Sequence, residues 1–166
     1  KISNLGYFFK PYLRLFSYNI LCMVKIFRPK EISDSIRKDR RFAAEAKVFE
    51  VIKKQSESIK GDLYTYWSCK FVTDSLTDGE IDFIIVLPNH GIVFIEVKGG
   101  GIKYDADTDT WVSIDRDGKT HKIKDPGNQS LKAEKYWINT FRKDSSLKNY
   151  WINTQHFVCI VDTNET

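Results

Sequence analysis

Apolar and polar positions along the chain change period several times, and each change marks an element. Leu5 to Phe27 is rich in aromatic and aliphatic residues, interrupted by Lys10, Arg14, Ser17, Lys25 and Arg28 at spacings that fall on one helical stripe. That pattern predicts an amphipathic helix within residues 1–30, with Pro11 tolerated in a first turn. The charged stretch 31–41 reads as a basic linker. Phe42, Ala46, Phe49, Ile52 and Ile59 then recur at helical spacing, and Gly61 supplies a stop. Leu63 to Val72, aromatic and β-branched, predicts a strand, with a loop from Asp74 to Gly79. Two apolar runs, Ile81 to Leu87 and Ile92 to Val97, are joined by Pro88, Asn89, His90 and Gly91 and predict a hairpin. Short strand signals at Ile102 to Tyr104, Trp111 to Ile114 and His121 to Lys124, with Asp-rich turns between them, predict a small meander. Asp125, Pro126 and Gly127 introduce a helix from about Asn128 to Phe141, and Phe157 to Val161 reads as a buried closing strand. The order predicts an α/β body over residues 42–166, a mixed β-sheet flanked by α-helices.

Length and charge narrow the reading. The 166 residues suffice for one real hydrophobic core and leave no room for a second full domain. The formal charge of +4 is uneven: residues 1–41 hold ten basic and three acidic residues, so the remainder is slightly acidic. Global electrostatics therefore gives no argument for a polyanionic partner, and a nucleic-acid reading has to come from a local site. Cys22, Cys69 and Cys159 are far apart and lack CxxC spacing, which predicts a reducing, cytoplasmic setting without a zinc site or disulfide framework. Residues 5–28 fit packing on the body, packing on a second subunit, or attachment to a membrane surface; Arg14 and Lys25 weaken a spanning reading. The chain stops soon after the apolar run His156 to Asp162, which leaves open a further domain beyond the C-terminus.

The hairpin carries the chemistry. Glu80 and Asp82 border or enter its first run, and Glu96 lies inside the second as Ile-Glu-Val-Lys. An unpaired carboxylate in an apolar strand costs several kcal/mol, so a cation or several donors must stand beside it. Lys98 is one such cation and a divalent metal another. Strand alternation places Glu96 and Lys98 on one face. A three-residue loop of Asn89, His90 and Gly91 sets Asp82 opposite Lys98 and Ile84 opposite Glu96, with all three functional side chains on that face; a four-residue loop without a bulge sends Asp82 to the other. Neighbouring carboxylates suit a hard cation, Mg2+ or Mn2+, held by Asp82, Glu96 and the backbone carbonyl of Val97 together with water and a phosphate oxygen. Lys98 then orients a water and offsets charge on the reacting phosphate, which describes phosphodiester hydrolysis without a covalent enzyme intermediate.

The run GEIDFIIVLPNHGIVFIEVKG, with Ala44-Glu45 in the preceding helix and Asp125-Pro-Gly-Asn-Gln129 after it, resembles the nuclease-related domain (NERD) family over roughly Arg40 to Asp162. The resemblance implies a restriction-endonuclease-like fold of the PD-(D/E)XK superfamily and a Mg-dependent nuclease acting on nucleic acid, DNA favoured over RNA. By position, Glu45 matches the family's helix-one glutamate, a further candidate metal ligand. Asp82 matches the metal-binding aspartate, Glu96 and Lys98 the ExK pair, Gln129 a downstream glutamine, and Glu80 a further acidic position behind the ligands. Ala44 stands where family members often have glycine.

Plainer uses compete with each assignment. Glu96 and Lys98 could form a simple salt bridge, Glu45 a solvated helix face, and Gln129 a helix-capping amide. His90, His121 and His156 are too scattered for a zinc site or a histidine nucleophile. Gly99 to Gly101 lack the Lys-Ser/Thr and helix of a phosphate loop. Trp111, Tyr136, Trp137 and Trp151 suit packing as well as base stacking. The alternative to an enzyme is a nucleic-acid-binding or membrane-tethered interaction module that keeps this fold and cuts little.

Overall fold

The computed structural model describes residues 23–72, 78–115 and 117–161. The helix predicted from Leu5, up to residue 22, and the part of the Asp74 to Gly79 loop before Asp78 lie outside the described residues. In chain order the elements are β1 (Lys25–Arg28), α1 (Asp34–Lys38), one 3-10 turn (Arg40–Phe42), α2 (Ala43–Ser56), β2 (Leu63–Val72), β3 (Asp78–Leu87), β4 (Gly91–Gly99), β5 (Gly101–Asp105), β6 (Thr110–Ile114), β7 (Thr120–Lys122), α3 (Pro126–Arg142) and β8 (Thr154–Val161). The main sheet has the order β1-β2-β3-β4-β8. Its three central strands are antiparallel, and β1 and β8 each run parallel to their neighbour. The meander predicted after Gly101 is a separate antiparallel sheet of β5, β6 and β7. This is a mixed α/β, restriction-endonuclease-like arrangement. No helix among the described residues is long and apolar enough to cross a membrane.

Two apolar clusters clamp the sheet. Tyr64, Tyr66, Ile84, Val86, Ile92 and Phe94 pack with Ala133, Trp137 and Phe141 of α3, spaced four apart along that helix. On the other cluster, Leu63, Phe83, Ile85 and Val97 meet Ala46 and Phe49 of α2. Phe49, Phe83 and Phe94 are wholly buried, each worth about 1.5–3 kcal/mol of transfer free energy. α3 starts two residues earlier than its periodicity suggests. Pro126 presets a helical φ at the first position and the Asp125 carboxylate accepts from the Asn128 N–H at 3.1 Å.

Four expectations need correction. Lys25 to Arg28 is not the end of a helix: it pairs in parallel with Leu63 to Tyr66, and Phe27 is buried edge-on against Phe49 at 5.6 Å. Burial between a strand and α2 outweighs the helical spacing of its basic residues. Residues 31–41 are not a simple linker, because they hold α1 and the 3-10 turn, bury Ile32, and are tied to α2 by Arg37 to Glu50 at 2.7 Å and by a Glu31–Lys53 ion pair. The closing strand is not buried: among the described residues β8 is paired on one side only, with Phe157 52% and Ile160 54% exposed.

Hairpin register is the fourth. Leu87 pairs with Gly91 and Val86 with Ile92, so the loop is Pro88, Asn89 and His90 and the pairing is displaced by two residues from the expected one. Pro88 and Asn89 occupy the centre of a turn closed by His90 N–H to Leu87 O at 2.9 Å, with Asn89 at φ +73°. Pro followed by a positive-φ residue is the type II pattern. Gly91 sits at φ +138° with its backbone against Asn153, where a β-carbon would lie 2.3 Å from the Asn153 carbonyl oxygen.

Gly91 therefore fixes both the hairpin and the entry of β8. Gly91→Ala is expected to cost at least about 2 kcal/mol in urea unfolding, whereas Asn89→Gly stays within about 1 kcal/mol. Equal midpoints for the two variants would contradict this account of the turn.

Candidate functional site

The β3–β4 ladder runs from Leu87↔Gly91 to Phe83↔Ile95 and its pairing ends there. In this register Asp82 is opposite Glu96 rather than Lys98. The displacement is an even number of residues, so it does not by itself move Asp82 to the other face. The Asp82 side chain enters the gap between the strands, its Oδ2 accepting from the Val97 N–H at 2.6 Å. A carboxylate takes the position of the next ladder carbonyl. Because the N–H and C=O of one strand residue point to the same side, the Val97 carbonyl also faces this opening.

β2 is irregular at the same level. Trp67 pairs with Phe83 and Cys69 with Ile81, but Ser68 and Asp82 between them form no pair, and Ser68 has φ +56°. Side-chain alternation slips on both strands here. Tyr64 and Tyr66 share the α3 cluster with Cys69 and Phe71, as do Ile84 and Val86 with Ile81.

Glu96 is 3% exposed. Its Oε1 accepts from Lys98 Nζ at 2.6 Å, while its Oε2 is buried with no hydrogen-bond partner among the described residues. Glu45, in the first turn of α2, accepts from Trp67 Nε1–H at 2.7 Å. Ser68 donates its hydroxyl proton to Glu80. Burial, followed by the neighbouring Glu96 charge, pushes Asp82 from its ordinary 3.8 to about 8, against the opposing pull of the Val97 N–H. Burial also raises Glu96 and Glu45, with Glu80 adding to both and Lys98 opposing. Glu45, Glu80, Asp82, Glu96 and Lys98 thus form one electrostatic group. Cys69, beside it, is pushed up to about 12 by burial and by Glu80 and Asp82, so its thiol stays protonated.

Gln129 lies in the first turn of α3, and no hydrogen bond joins its side chain to this group among the described residues. The helix does lead toward the group. Glu134 bonds Thr154, the residue paired with Ile92, and Ser130 Oγ donates to Phe94 O at 3.3 Å. Four helical residues rise about as far as two strand residues, so the helix N-terminus falls near the level of Glu96. The bland alternative for Glu96 and Lys98, a salt bridge, is present; an exposed edge-strand setting for it is not.

The donor set suits a hard cation. Asp82 is bonded to the Val97 amide, Glu96 precedes Val97 and keeps one oxygen without a donor among the described residues, and a positive ion would relieve the burden on both carboxylates. No three His, Cys, Asp or Glu side chains among the described residues form a metal-holding group by themselves, so water or substrate oxygens would complete the shell. Sequence reasoning missed Trp67 and Ser68. Their signal is a lone serine in an aromatic strand, where the apolar alternation changes phase.

The raised Asp82 has a consequence for metal-free protein. Asp82 keeps its proton to about pH 8 in the fold but releases it near 3.8 when unfolded, so stability falls as pH rises through that window. Asp82→Asn, which can still accept from Val97, is expected to raise the metal-free Tm at pH 8 by roughly 3–10 °C and to give no gain at pH 4. A Tm at pH 8 equal to or below wild type would contradict this.

Comparison with known proteins adds a family. No curated protein and no solved structure matches the chain. Residues 40–161 match the nuclease-related domain, and this span takes in Glu45, Glu80, Asp82, Glu96, Lys98 and Gln129. The chain belongs to the nuclease-related domain family.

Proposed function

We propose that this protein is a nuclease that hydrolyses phosphodiester bonds of nucleic acid, with DNA favoured over RNA, using Mg2+ or Mn2+. The observation that carries the reading is Glu96: a buried carboxylate with one oxygen on Lys98 and the other without a donor, set across an opened ladder from Asp82. Family membership supports the nuclease part, and the preference for DNA rests on resemblance to the wider PD-(D/E)XK superfamily.

Asp82, Glu96 and the Val97 carbonyl are the groups that would hold the ion, with Glu45 a further candidate. When bound, such an ion polarises a phosphoryl oxygen and lowers the pKa of a coordinated water. Lys98, fixed by Glu96 at 2.6 Å, brings a cation and donors to the place where negative charge builds as phosphorus gains a fifth oxygen. Water is the nucleophile in this reading, and burial keeps the Cys69 thiol protonated and within the α3 cluster. Glu80 stands behind the ligands, and Gln129 with the amino end of α3 offers neutral donors to a phosphate.

Cleavage of supercoiled plasmid, single-stranded DNA and RNA in Mg2+ or Mn2+ tests this. Asp82→Ala and Lys98→Ala are each expected to lower the rate on the preferred substrate at least about 100-fold. Equal rates for wild type and both variants would remove the mechanism. Binding without cutting would favour an interaction module.

A further inference from the structure

We propose that Trp67 and Ser68, consecutive on β2, are positioning residues that aim the two outer carboxylates of the site, Glu45 and Glu80, through an indole N–H and a hydroxyl. The effect on cutting rests on the nuclease reading above; the positioning itself does not.

Strand geometry makes the pairing of these two donors informative. In a regular strand, adjacent side chains point to opposite faces and could not both serve one cluster. Here Trp67 Nε1–H reaches Glu45 Oε2 at 2.7 Å while Ser68, at φ +56°, bonds Glu80. The backbone irregularity brings both donors to carboxylates that also act on each other electrostatically. A non-glycine residue at positive φ is strained, and glycine would avoid that strain. What serine offers and glycine lacks is the hydroxyl, which is bonded to Glu80.

Trp67 is braced for this task. Its ring packs edge-on against Phe42 at 6.0 Å, and the Arg41 guanidinium lies 5.6 Å from the centre of the Phe42 ring. The 3-10 turn that holds these residues leads into α2, three residues before Glu45 in the case of Phe42. Glu45 therefore comes from one element and its donor from another, and the turn fixes their separation. Without these donors the two carboxylates would swing away from their neighbours' negative charge, and the outer edge of the site would lose its shape.

Two variants isolate the donors: Trp67→Phe keeps an aromatic ring on Phe42, and Ser68→Gly keeps the positive φ. Each is expected to reduce Mn2+ affinity in calorimetry, or kcat on DNA, about 10-fold or more, with Tm changed by only a few degrees. Trp67→Phe in a Glu45→Gln background should add no further loss, and neither should Ser68→Gly in a Glu80→Gln background. Full additivity in these pairs would overturn the proposal. An independent arm needs no activity. The Trp67 indole 15N–1H NMR signal of metal-free protein should move on Glu45→Gln, and an unmoved signal overturns the assignment for Trp67. If wild type neither cuts nor binds Mn2+ but the indole signal moves, the nuclease reading falls and the positioning of Glu45 stands.

Discussion

Glu96 and Asp82 are withdrawn from water within reach of Glu45 and Glu80, and the rest of the fold must hold this mutual repulsion in place. Gathering such groups costs several kcal/mol per uncompensated charge, comparable with much of a domain's net stability. Lys98 offsets part of it. The remainder is borne by the two apolar clusters, whose wholly buried members Phe83 and Phe94 stand within two residues of Asp82 and Glu96 on the same strands. The site is thus kept by the core immediately beside it.

That constraint also accounts for the ending of the β3–β4 ladder. A continued ladder would spend the Val97 amide on a carbonyl and leave the Asp82 carboxylate without its donor. Ending the ladder exchanges one backbone pair for an amide–carboxylate bond and frees a carbonyl toward the same opening. On the far side of β3, the unpaired Ser68 and Asp82 show the same exchange: regular pairing is given up where polar groups have to be served.

Much of this was legible in the sequence because it depends on period and composition. The α2 pattern from Phe42, the hairpin runs and the meander follow from which residues must be buried, whereas α3 buries Ser130, Ala133, Trp137 and Phe141. The acidic positions stood out because carboxylates are expensive in apolar strands. What could not be read depends on contacts distant in sequence. Lys25 to Arg28 becomes a strand only because Leu63 to Tyr66 is there to pair with it. The hairpin loop was misplaced because Gly91 was assigned to the turn, whereas its glycine is required by Asn153, more than sixty residues away. Trp67 and Ser68 were overlooked because a donor's importance depends on what it reaches.

The matched irregularities of β2 and β3 couple the two strands as text as well as structure. Each strand changes phase once, at facing positions, so the two shifts cancel and pairing resumes in the same register with Cys69 against Ile81. Removing Ser68 alone would leave Cys69 and Phe71 on the α3 face but slide their pairing by one residue against Ile81 and Gly79, and removing Asp82 alone would slide it from the other strand. Length changes at these two points preserve the pairing only when made together, which makes the two positions a single structural unit.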